Sequence, residues 1–111
     1  MRVLVVKTTS MGDVVHALPA VSDMARCVPG IEIDWLVESP FAAIPALSPV
    51  VKEVHPLSWR KWRKTLFQRE TWGAMASLRS RLRARRYDLV IDFQGLLKSA
   101  LWAAQAGAPV C

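Results

Sequence analysis

Short β-branched runs alternate with segments of helical period along this whole sequence, and that alternation restricts the fold more than any other feature. Residues 2–7 (RVLVVK) read as a buried strand. After a turn-rich loop at 8–13 (TTSMGD), Val14, Leu18, Val21 and Met24/Ala25 fall on one helix face. Pro19 lies inside that helix, which either starts late or is kinked. Pro29-Gly30 closes the unit, and residues 31–37 (IEIDWLV) form a second strand, alternating and then apolar. A short helix broken by Pro45 follows at 40–47. Residues 50–57 (VVKEVHPL) are a third strand, with Pro56 marking an edge or an end. A basic, aromatic loop at 58–64 leads to a helix over 71–86, with Trp72, Met75, Leu78 and Leu82 as its core stripe. Residues 87–93 (YDLVIDF) are the fourth strand. Gln94-Gly95 opens a last helix through Ala106, and residues 107–111 enter a fifth strand.

The order β-α-β-α-β-α-β-α predicts an α/β fold, a Rossmann-like parallel sheet with flanking helices. The 111 residues suffice for one such domain, and 52% hydrophobic content excludes a disordered chain. Ending inside a strand predicts that residues 1–111 are an incomplete domain. No run approaches the roughly 20 apolar residues of a spanning helix, and Lys7 interrupts the first apolar run too early for a signal peptide. Cys27 and Cys111 have no metal or redox spacing, so a reduced, cytoplasmic setting is expected.

Charge is unevenly distributed. Residues 1–50 carry three Lys/Arg against five Asp/Glu; the remainder carries twelve against four, giving +6 overall. An anionic partner for the second half is implied: phosphates, nucleic acid or a membrane surface.

Ligands of an open parallel sheet bind outside the carboxyl ends of its strands. That rule collects Lys7, Thr8, Thr9, Ser10, Gly12 and Asp13 from the first loop, Glu38 and Ser39 from the second, Arg60, Lys61, Arg63 and Lys64 from the third, and Asp92, Gln94, Gly95, Lys98 and Ser99 from the fourth. Asp13 is the first loop's only carboxylate and a candidate general base; spacing alone favours a helix cap. One glycine, Gly12, matches neither the dinucleotide fingerprint nor the P-loop, which argues against a dehydrogenase or an NTPase. Residues 59–64 (WRKWRK) suit phosphates beside an apolar or sugar surface, or form a solvated turn with tryptophans packed inward. Arg79–Arg86 reads as a solvated helix face. Lys98, in a first helical turn, either opposes the dipole for the sake of a nearby anion or points to solvent. His16 and His55 stand isolated. There is no Asp-X-Asp, so no metal site of that kind is encoded.

The stretches MRVLVVKTTSMGDVVHALPAVSD, PGIEIDWLVE, WRKWRK and YDLVIDFQGLLKSAL together resemble the heptosyltransferases of lipopolysaccharide inner-core synthesis, glycosyltransferase family 9. The resemblance implies the N-terminal, acceptor-binding half of a two-domain GT-B glycosyltransferase, with the C-terminal donor-binding domain lying outside these residues. It implies transfer of L-glycero-D-manno-heptose from ADP-heptose to Kdo of Kdo2-lipid A, with inversion and without cofactor or catalytic metal. It makes Asp13 the general base and puts Arg60, Lys61, Arg63 and Lys64 on the acceptor's phosphates and carboxylates. Lys7, Thr8, Ser10, Gly12, Gln94 and Lys98 fall on motif positions lining the cleft. It also implies peripheral contact with the cytoplasmic face of the inner membrane. The 111 residues alone are then expected to transfer nothing. The competing reading is a non-enzymatic basic Rossmann-like module that binds nucleic acid or an anionic membrane. No helix-turn-helix, zinc or RNP-type signature supports nucleic acid as partner.

Overall fold

The computed structural model describes residues 1–94 and 97–110. Strand β1 (Arg2–Val6) runs into α1 (Met11–Cys27), then β2 (Glu32–Glu38), a 3-10 turn (Ser39–Phe41) and α2 (Ala43–Ala46). β3 (Val51–Leu57), α3 (Trp59–Trp62), α4 (Arg69–Ala84), β4 (Leu89–Asp92) and α5 (Leu97–Ala104) complete the order. The four strands form one sheet in the order β3-β2-β1-β4, and every pairing is parallel. Val110 forms a parallel bridge to Val90, where the fifth strand was expected to begin.

The sheet is covered on both faces, as a parallel sheet must be when its connections are helical. On one face α1 buries Val14, Ala17 and Val21 against Val5, Ile33, Trp35 and Val37. On the other, Leu78 and Leu82 of α4, Trp62 of α3, and Trp102, Ala103 and Ala106 pack on Leu4, Val6, Leu36, Leu57 and Val90. β1 and β2 occupy the centre and are buried almost throughout. β3 is an edge strand, which is where Pro56 is tolerated.

Several local expectations change. The helix containing Pro19 starts at Met11 and continues past the proline. The loop at 58–64 contains a helical turn, with Trp62 buried and its cations exposed. The fourth helix begins at Arg69, and Trp72 is not in its core stripe: it is 58% exposed, while Thr71 is buried. Asp34, whose place in an alternating strand suggested solvent, is 1% exposed, because the second face of β2 is covered by the α4 side of the molecule. No helix among the described residues is long and apolar enough to cross a membrane.

Candidate functional site

Parallel pairing puts the carboxyl ends of all four strands on one rim. Val6 lies beside Leu36 and Asp92, and Glu38 beside Leu57. The loop from Lys7 to Ser10 leaves the centre of that rim and turns directly into α1. Asp13 occupies the third helical position, and one carboxylate oxygen accepts the Ser10 backbone N–H at 3.4 Å. The cap expected from spacing is therefore made, yet Asp13 stays exposed. A capping carboxylate is held in orientation by its bond and keeps free lone pairs.

Asp13 shares a shallow cavity of about 260 Å³ with Lys7, His16, Ala17, Ala20 and Phe93. The Lys7 ammonium lies 3.5 Å from the Phe93 carbonyl. His16, isolated in sequence, lies one turn beyond Asp13, and its i, i+3 spacing is the signal that places both on one helix face. Gln94 braces the loop from the β4 side. Its amide oxygen accepts the Thr9 N–H and its amide nitrogen donates to the Thr9 hydroxyl, both at 3.3 Å. Thr8 is fully buried, and its hydroxyl has no hydrogen-bond partner among the described residues. Ser10 is exposed. A methyl group on Gly12 would meet nothing within 4 Å, so packing does not demand a glycine there.

The four cations of the third loop do not line the Asp13 cavity. Arg60, Lys61, Arg63 and Lys64 project from α3 and the residues after it, and all are exposed. α3 is fixed by its tryptophans: Trp62 lies 5.8 Å and Trp59 6.4 Å from the Trp102 ring, centre to centre. The stretch has the form of a solvated basic turn with its tryptophan rings packed inward. Lys98 lies on α5 with its side chain outside the described part, and Gly95 lies outside the described residues altogether.

Composition gave no sign of a second polar cluster, which lies away from the rim. The Tyr87 hydroxyl donates to Asp34 at 2.6 Å and accepts from His55 Nε2 at 2.8 Å. Arg85 Nε donates to the same Asp34 oxygen at 2.8 Å and lies 3.4 Å from Glu53. Burial raises the Asp34 carboxyl, but the His55 imidazole 3.7 Å away and hydrogen bonds from Arg85 and Tyr87 outweigh it and hold the group at about 2. Burial, and then the hydrogen bond to Asp34 and its charge, push the Tyr87 phenol up. Asp34, Glu53 and His55 bring their ligand atoms within 4.8 Å of one another. Arg85 already bridges the two carboxylates, so a metal ion there would have to displace a guanidinium. The cluster is a structural ion network joining β2, β3 and the end of α4.

A parallel sheet with an acid-bearing loop at its central rim puts a candidate site where open α/β sheets bind their ligands, and many unrelated activities share that form. Residues 75–111 match the model of glycosyltransferase family 9 (heptosyltransferase). Over 90% of its length the chain is 56% identical to lipopolysaccharide heptosyltransferase 1 of Pseudomonas aeruginosa, of which it covers 28%. It superposes on E. coli heptosyltransferase WaaC with ADP-2-deoxy-2-fluoro heptose at a TM-score of 0.90 and 46% identity, covering 99% of this chain and 35% of that one. Against E. coli ADP-heptose lps heptosyltransferase II the values are 0.74 and 25%, with 98% and 29% covered. The resemblance carried by the motifs is thereby shown, with heptosyltransferase 1 the nearer likeness of these. The homologues are glycosyltransferases with a GT-B fold, and the chain spans about a third of their length.

Proposed function

We propose that this chain is the acceptor-side part of an enzyme that transfers L-glycero-D-manno-heptose from ADP-heptose to Kdo of Kdo2-lipid A, with inversion, in lipopolysaccharide inner-core synthesis. The observation that carries the reading is the exposed, oriented Asp13 carboxylate at the centre of the rim, in a chain 56% identical to a heptosyltransferase 1. In this mechanism Asp13 takes the proton from the acceptor hydroxyl as that oxygen attacks the anomeric carbon. The bond from that carbon to the diphosphate oxygen breaks, and ADP departs from the opposite face. Attack opposite the leaving group inverts the centre. A capped carboxylate reorients little at the moment of reaction, which favours proton transfer over a free side chain.

Lys7 beside Asp13 favours an anionic acceptor, since Kdo carries a carboxylate. Thr8, Ser10 and Gly12 shape the loop under it, and Gln94 holds that loop from β4. Arg60, Lys61, Arg63 and Lys64 meet acceptor phosphates, and Lys98 adds a cation from α5. Donor contacts belong to the part of the relatives beyond these residues. The reading places the enzyme in the cytoplasm, against the inner membrane that presents lipid A, and requires no cofactor or metal.

The test is Asp13→Asn in the full-length protein. Heptose transfer should fall by about 10²–10⁴-fold, while acceptor binding changes by less than about threefold. Turnover within tenfold of the unsubstituted protein would remove Asp13 as base. Tight, salt-sensitive nucleic-acid binding without transfer would favour the non-enzymatic module.

A further inference from the structure

An apolar depression separate from the Asp13 cavity lies beside the basic turn. Residues of α3, α4 and α5 and of the turn after α5 line a groove of about 410 Å³ walled by Trp59, Trp72, Met75, Ala76, Leu101 and Trp102, with Arg79 and Gln105 also lining it. By comparison, a closed apolar cavity of about 150 Å³ accepts benzene. The walls are held in place. The Trp72 indole N–H donates to the Leu66 carbonyl at 2.6 Å, although the ring is 58% exposed. Trp59 packs edge-on against Trp102, and Arg79 donates to Gln105 at 2.8 Å. Exposing Trp72 and Leu101 in this way costs solvation free energy.

Charge identifies the occupant. Trp59 belongs both to the groove and to the helical turn that bears Arg60 and Lys61, with Arg63, Lys64 and Arg69 close behind in sequence, all exposed. A ligand with an apolar chain joined to a phosphate satisfies both parts at once; a free sugar phosphate leaves the groove wet, and a plain hydrocarbon leaves the cations without partners. We infer that the groove seats one acyl chain of the phosphorylated lipid acceptor, whose headgroup anions meet the basic turn. The inference rests on the lipid-acceptor reading above and adds a tail subsite to it. Binding one chain here would draw it out of its neighbours and turn the headgroup sugars toward the rim.

The probes are dodecyl phosphate, below its micellar concentration, and ethyl phosphate, titrated against tryptophan emission of the full-length protein. Each methylene removed from water favours binding, so even partial burial should make the dodecyl ester roughly ten times tighter or more. Ala76→Trp and Leu101→Asp alter exposed wall positions without entering the core. Both should drive the ratio of the ethyl to the dodecyl dissociation constant from ten or more towards one. A ratio near one in the unsubstituted protein overturns the inference, as does an equal loss for both esters in the variants. Retention on phosphatidylglycerol vesicles that depends on Trp72, with no dodecyl preference, also overturns it and makes the patch a bilayer surface. Failure of heptose transfer would remove the acceptor's identity and leave the ester ratio standing, so the two readings fail separately.

Discussion

The two faces of the sheet are packed by different chemistry. Under α1 and α2 the buried contacts come from Val5, Val14, Ala17, Val21, Ile33, Trp35 and Val37, an all-apolar set. Under α3, α4 and α5 a larger apolar core, which includes Tyr87, sits beside the buried Asp34 and His55 and is flanked by the open tryptophan groove. The first face needs only shape complementarity. The second holds charges that must be matched one to one, and a wall that packing leaves unfilled. On the proposed reading, the binding surfaces fall on the second face and on the rim, and α1 contributes to them through its first turns, where Asp13 and His16 line one cavity.

The sharpest way to break that contrast is to unpair the charges. Arg85→Ala leaves the Asp34 carboxylate buried without its guanidinium and should cost about 3–5 kcal/mol in chemical denaturation. Replacing both partners, Asp34→Leu with Arg85→Met, should recover most of that loss. On the first face no such rescue exists: Ile33→Ala costs about 2–5 kcal/mol through the cavity it leaves. An Arg85→Ala cost below about 1 kcal/mol would mean the network is not holding the second face together.

Acid should separate the faces next. The Asp34 carboxyl is lowered from 3.8 to about 2 in the folded chain. A group with a depressed folded pKa stabilises the fold above its unfolded value, and that stability is lost as pH falls through the folded value. The window is therefore about pH 4 down to 2, and the loss about 2 kcal/mol. Glu32, lowered to about 2 by hydrogen bonds from Arg2 and Lys52, titrates in the same window but is well solvated. Asp34→Asn isolates the buried contribution: stability measured from pH 5 to 2 should fall less steeply in the variant. An unchanged slope would assign the acid limb to surface groups.

How much of this was legible follows from where each signal lies. The strand–helix alternation, the parallel sheet and the edge position of Pro56 could be read because period and proline chemistry are local. The rim residues could be read too, since a parallel sheet gathers its loops without further information. Asp34 could not: in IEIDWLV it has the pattern of a solvent-facing residue, and only the partners Arg85 and Tyr87, 51 and 53 residues away, make its burial tolerable. Trp72 failed in the opposite sense. Helical spacing puts it near the apolar stripe, but its place in the wall of an open groove, 58% exposed, is a tertiary fact. His16 lies one turn from Asp13, a spacing visible in the sequence, but a lone histidine completes no ligand set and so carries no signal of its own.

The smallest effect expected is at Gly12, and it tests whether the first turn of α1 belongs with the structural face or with the rim. Alanine there meets no atom within 4 Å, and the residue is already helical. Gly12→Ala should therefore stabilise the protein by about 0.5 kcal/mol by restricting the unfolded chain. If the acceptor approaches the backbone at this turn, the same methyl group should raise the acceptor KM several-fold while thermal stability increases. Stability and affinity would then move in opposite directions from one methyl group, which a purely structural helix start does not produce. A gain in stability with an unchanged KM would return the whole of α1, Asp13 excepted, to the apolar face.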